Sequence, residues 1–138
     1  MSAEQPAQIT IKDEFWMRPH LCVRDVAASI AYYCERLGFT LAWAHGDDPQ
    51  IIAQVSRNGL DIILDCGSVL PRAATPSVLG MSLHQPENLG ALYRGFKERG
   101  AKIAATPFEV IWQAGVYQFD VEDLDGNVLM FCGSKPEE

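Results

Sequence analysis

Long apolar runs are missing from this 138-residue chain. No segment approaches the roughly 18 consecutive apolar residues that span a bilayer, so no membrane helix is expected. The opening residues, Met1-Ser2-Ala3-Glu4-Gln5-Pro6, hold neither a basic region nor an apolar signal core, and a cytoplasmic location is expected. Cysteine is sparse and dispersed. Cys22, Cys34, Cys66 and Cys132 form no CxxC pair and meet no histidine at zinc spacing, which favours reduced core thiols over disulfides or bound metal. Positive charge is short as well: 11 Lys and Arg stand against 18 Asp and Glu, a net charge of −7. That sign speaks against a nucleic-acid partner and is compatible with a cationic ligand. Gly-rich phosphate loops are absent. Ser29 and Ser82 lack a His–Asp relay and no cysteine has a partner motif, so no catalytic residue is assigned.

What is present is one pattern written twice. The length suits a single domain, and 48% hydrophobic residues are enough for a core. The first unit opens with an extended run, Arg18–Val23. Asp25 then serves as N-cap to a helix over Val26–Leu37, whose stripe is Val26, Ile30, Tyr33 and Leu37 and whose stop is Gly38. Strands are expected at Phe39–Ala44, Ile51–Ser56 and Leu60–Leu64, parted by Gly46-Asp47-Asp48-Pro49 and Arg57-Asn58-Gly59. The second unit opens at Gly80–His84. Asn88 caps a helix over Leu89–Arg99, with Leu89, Leu92 and Phe96 inside and Gly100 as stop. Strands follow at Lys102–Ala105, Val116–Val121 and Val128–Cys132. The fold class is therefore α+β, a βαβββ module used in tandem with a helix on the outer face of each sheet. The modules span about 15–67 and 79–133, joined by a linker over 68–78 with Pro71 and Pro76, and flexible ends are expected at 1–10 and 134–138.

The runs Val23-Arg24-Asp25-Val26-Ala27-Ala28-Ser29-Ile30-Ala31-Tyr32-Tyr33 with Leu37-Gly38-Phe39, and Ala91-Leu92-Tyr93 with Arg99-Gly100-Ala101, are joined by Asp123-Leu124-Asp125-Gly126-Asn127. In this order they resemble the vicinal oxygen chelate superfamily, which includes glyoxalase I, extradiol dioxygenases, and fosfomycin- and bleomycin-resistance proteins. The resemblance covers Arg18 to Gly133, and Leu124 departs from the proline usual at its position. It implies two curled sheets, each enclosing a cavity, and commonly a homodimer.

Metal enzymes of that superfamily take ligands from the first and last strand of each module. The matching positions here are Arg18, Ile63 or Leu64, Met81 (Gly80 if the register slips) and Met130, which replaces the expected glutamate. A guanidinium cannot bind a cation, and a divalent ion needs several converging lone-pair donors. No metal or other cofactor is therefore expected. The alternative is a displaced site using His20, His84 and Asp61 or Asp65; His20 shares strand parity with Arg18. His45, beside a polar turn, is expected at the surface. Without a metal, the resemblance points to a protein that sequesters a small organic ligand, bleomycin-like and cationic or aromatic. Arg18, His20, Trp43, Phe108, Trp112, Tyr117, Met81 and Met130 are the candidate ligand-binding residues, and Trp16 precedes the first strand. Aromatic faces suit planar or cationic groups; Met81 and Met130 add deformable walls. Arg18 either pairs with Asp61 or Asp65 or grips an anionic group. A metal-dependent lyase or dioxygenase, a metal-free isomerase and a ligand-sensing protein are the other readings.

Overall fold

The computed structural model describes residues 17–67, 76–82 and 89–137. Trp16, Pro71, His84, Asn88, the end 1–10 and most of the expected linker lie outside the described residues. The elements run β1 (His20–Cys22), α1 (Val26–Leu37), β2 (Thr40–His45), β3 (Ile52–Arg57), β4 (Leu60–Asp65), β5 (Val78–Ser82), α2 (Leu89–Glu98), β6 (Lys102–Glu109), β7 (Tyr117–Glu122) and β8 (Val128–Gly133). They form two four-stranded sheets of the same order, β1-β4-β3-β2 and β5-β8-β7-β6. In each, the first strand lies parallel to the fourth while the other pairs are antiparallel. The α+β tandem arrangement expected from the repeat is the one observed.

Local chemistry sets the helix ends. The Asp25 carboxylate accepts the Ala28 N–H at 3.0 Å, and Gly38 takes a left-handed φ of 71° while its N–H bonds Tyr33 O, the usual roles of an acidic N-cap and a glycine C-cap. A side chain at Gly38 would also meet Arg57 Nη1, which donates to Leu37 O at 2.9 Å. Inside, α1 contributes Val26, Tyr33 and Leu37 and α2 contributes Leu89, Leu92 and Phe96 to one cluster with Leu21, Val55, Leu64, Phe119, Leu129 and Phe131. Phe96 meets Phe119 and Phe131 with ring centroids 5.9 and 5.3 Å apart, within the range where aromatic pairs attract. Residues 134–137 return over α2: Arg94 Nη1 donates to Glu137 O at 3.2 Å, and Gly90 leaves room for Pro136.

The β7–β8 turn ties the modules together. Asp123 is buried and accepts the Asp125 N–H, the Asn127 N–H, the Asn127 side-chain amide and the Tyr33 hydroxyl at 2.8–2.9 Å. Asn127 Nδ2 also donates to Cys22 O at 3.3 Å, and Arg24 Nε donates to Asp125 Oδ1 at 2.9 Å. Of the turn's glycine and asparagine, only Gly126 needs a positive φ, 84°; Asn127 serves by its hydrogen bonds.

Candidate functional site

One face of each sheet carries its helix; the other is open, and strand register decides which side chains stand on it. In the first sheet the pairing His20–Ile63–Gln54–Trp43 runs across all four strands. In the second, Ser82–Cys132–Gln118–Phe108 does the same. Regular alternation from Leu41 would turn Trp43 toward the helix side, because Leu41 stands opposite the buried Val55. A bulge between Leu41 and Trp43 reverses it, placing Trp43 opposite Gln54. Of two shifts in β6, the first, between Ile103 and Ala105, turns Ala105 to the open face opposite Asp120. The second, between Ala105 and Phe108, offsets it, so Phe108 stands opposite Gln118 on the open face that regular alternation from the inward Ile103 already gives it. Re-aiming a side chain is what a bulge does. Trp43 and Phe108 end 40% and 41% exposed, one on each open face at the same place in its module. The extra length of β6 past Ala105 includes Pro107, tolerated because β6 is an edge strand and needs no outward N–H there.

Each aromatic stands beside a glutamine held by its neighbours. Gln54 Oε1 accepts from Trp43 Nε1 and Arg18 Nη1, both at 3.2 Å. Its Nε2 donates to Ser56 Oγ at 3.2 Å, and that hydroxyl donates to Asp61 Oδ1 at 2.7 Å. In the second module Gln118 Nε2 donates to Asp120 Oδ1 at 2.8 Å and Gln118 Oε1 receives the Cys132 thiol at 3.7 Å. Burial, with the nearby Asp120 charge, pushes the Cys132 thiol above its ordinary pKa, so at neutral pH it is a protonated donor and not a thiolate nucleophile. A cavity of about 390 Å³ adjoins this face, lined in part by Ser82, Trp112, Gly115 and Cys132.

The other sequence candidates fall in different places. Arg18 Nη1 reaches Gln54 Oε1 in the contact described above. The His20 side chain is 45% exposed, with Nδ1 3.7 Å from Asp65 Oδ2. His45 stands exposed. Trp112 is 66% exposed in the turn after β6. Met130 lies on the open face, between Gly80 and Asp120 in the pairing. Met81 and Tyr117 do not share that face: Met81 pairs with Phe131, Tyr117 has the parity of Phe119, and both pack against the core. Met81 also borders a cleft of about 290 Å³ with Pro19, Asp61 and Leu79. Gly80, one residue earlier, stands on the open face of β5, as Ser82 does. Gln54, Ser56, Gln118 and Asp120 were missed, although Gln54-x-Ser56 and Gln118-x-Asp120 show the two-residue polar spacing of an uncovered strand face.

As the metal set of this fold, Arg18, Ile63, Gly80 and Met130 supply no hard anionic or imidazole donor, so these positions do not fit a divalent ion. Among the described residues, no three His, Cys, Asp or Glu side chains converge as a metal site. No described helix is long and apolar enough to cross a membrane.

Solved structures share the fold. The bleomycin-binding protein complexed with bleomycin is 22% identical, with a TM-score of 0.68 over 88% of this chain and 100% of its own. TioX from Micromonospora sp. ML1 is 15% identical, with a TM-score of 0.68 over 90% of this chain and 99% of its own. Lactoylglutathione lyase from Agrobacterium tumefaciens is 13% identical, with a TM-score of 0.67 over 86% and 92%. At these identities the likeness shows the fold, which hosts both a binder and a lyase. Comparison with curated proteins gives no match. The family profile matches residues 15–131, and with the paired sheets and the two open faces it establishes that the chain belongs to the Glyoxalase/Bleomycin resistance protein/Dioxygenase superfamily.

Proposed function

We propose that this protein sequesters a small organic, antibiotic-like ligand on the open faces of its sheets without using a metal ion. The observation that carries this reading is the paired exchange at the site. Arg18, Ile63, Gly80 and Met130 stand where metal donors would be, while Trp43, turned by a bulge, and Phe108 stand on the same faces. Aromatic planes with a few fixed polar groups suit a drug-sized ligand, and each stacking contact contributes about 0.5–1.5 kcal/mol. The bleomycin-binding relative supplies the precedent. The reading includes a homodimer, as the family resemblance implies, in the cytoplasm; sedimentation at micromolar concentration checks the oligomeric state.

Titration with bleomycin, followed by tryptophan fluorescence and thermal shift, tests the proposal. Saturable quenching with a raised melting temperature is expected, and no response to bleomycin removes the antibiotic assignment. A lyase or dioxygenase with displaced ligands is the second reading, favoured by the approach of His20 to Asp65. Binding of one nickel, zinc or iron ion per subunit at micromolar affinity would establish it over the first.

A further inference from the structure

Comparison of the two open faces isolates one carboxylate. In the first module, Asp61 lies in the row Asp61–Ser56–Thr40, receives the Ser56 hydroxyl, and shares its face with the Arg18 guanidinium. The corresponding row of the second module is Gly80–Met130–Asp120–Ala105. Here Asp120 is half-buried between apolar or absent side chains, and the neutral Gln118 amide is its hydrogen-bond partner among the described residues. Lys102, the cation on that sheet, is engaged with Glu122 at 3.1 Å in the next row. Asp120 itself keeps partial exposure, and across the row the Met130 methyl lies over Gly80, 3.3 Å from where a Cβ would stand. Phe108 stands opposite Gln118, a diagonal neighbour of Asp120 and within reach of the same ligand.

We propose that Asp120 anchors a cationic group of the bound ligand, a protonated amine, amidine or N-alkylated heterocycle attached to a ring that lies on Phe108. This rests on the reading of the open face as a binding surface and adds to it the ligand's charge and the residue that selects it. A charge in a half-buried apolar row is poorly solvated, so an incoming cation gains more there than at the surface. The net charge of −7 adds long-range attraction of the same sign.

The test uses the full chain with N-methylquinolinium and quinoline, a matched cationic and neutral pair at about pH 7, followed by fluorescence quenching. The cation is expected to bind about tenfold more tightly, a preference that added salt weakens. Asp120→Asn keeps the acceptor for Gln118 and should abolish the preference, while Asp61→Asn, checked for an unchanged melting temperature, should retain it. Equal binding of the two probes to the wild type, or a preference that survives in D120N, overturns the inference while binding itself stands. If neither probe nor bleomycin binds, the binding reading falls and this one with it.

Discussion

Ser29 is the residue whose side chain has the least to do. It is 1% exposed on the inner face of α1, and its hydroxyl has no hydrogen-bond partner among the described residues. A buried hydroxyl left without a partner costs about 1–3 kcal/mol, and alanine is the better helix former. Ser29→Ala is therefore expected to raise stability by about 1 kcal/mol, read as a higher urea midpoint at unchanged slope. Tyr33 is the opposite case. Its hydroxyl donates to Asp123 Oδ2 at 2.9 Å, and burial, then the Asp123 charge, pushes its pKa well above the ordinary phenol value. The neutral phenol is thus the form the fold favours. Its stabilisation is complete below the unfolded pKa near 10 and is lost as pH rises through the higher folded value. Tyr33→Phe should cost about 1–3 kcal/mol at neutral pH. Above about pH 10 the difference between the two proteins should shrink, because only the wild type then has this phenol to ionise. Urea unfolding of both proteins from neutral to alkaline pH measures the gap, and a constant gap would refute the assignment.

At the scale of elements, the β7–β8 turn does more than reverse the chain. Asp123→Ala removes the acceptor of two backbone N–H groups, one side-chain amide and the Tyr33 hydroxyl. The cost is expected to exceed about 3 kcal/mol, several times that of an ordinary surface substitution, and denaturant unfolding would show it. The tandem helices were legible because Asp25, Gly38 and the spacing of Val26, Tyr33 and Leu37 are local signals. Asp123-Leu124-Asp125-Gly126-Asn127 was legible as a turn, but its bonds to Tyr33, Cys22 and Arg24 join residues about a hundred positions apart, and no local pattern encodes them. The site was harder for another reason. Two-residue parity locates an open face only while a strand stays regular. Met81 and Tyr117 were placed one register position from the open face, where Gly80 and Gln118 stand. Trp43 reaches that face through a bulge that β-propensity does not announce, whereas Phe108 has it by regular alternation from Ile103.

Across the whole molecule, neither module is expected to stand alone. Each is only about 50 residues, a size at which a single core is marginal. Their surfaces are joined by Tyr33–Asp123, Tyr32–Glu122, Arg24–Asp125 and Cys22–Asn127, and by Arg57 over the Phe96 ring at 5.5 Å to its centroid. Residues of both modules share one buried cluster. Opening one module would expose that cluster and strip partners from the buried Asp123 and Asn127, so no stable half remains. A single cooperative transition is expected, with far-UV and near-UV circular dichroism unfolding curves superimposed. The same coupling fixes what a ligand must do. A molecule held only on the second sheet, over Phe108 and Asp120, would still stabilise the first, because the halves unfold together. Ligand at about 100 times its dissociation constant should move the entire curve by about 2.7 kcal/mol. Tryptophan fluorescence reports on Trp43 in the first module and Trp112 in the second, and far-UV circular dichroism on both sheets. Displacement of both signals to the same higher midpoint is the expected result. Separate midpoints, with only the ligand-bearing half stabilised, would show that the turn and the shared core do not couple the modules.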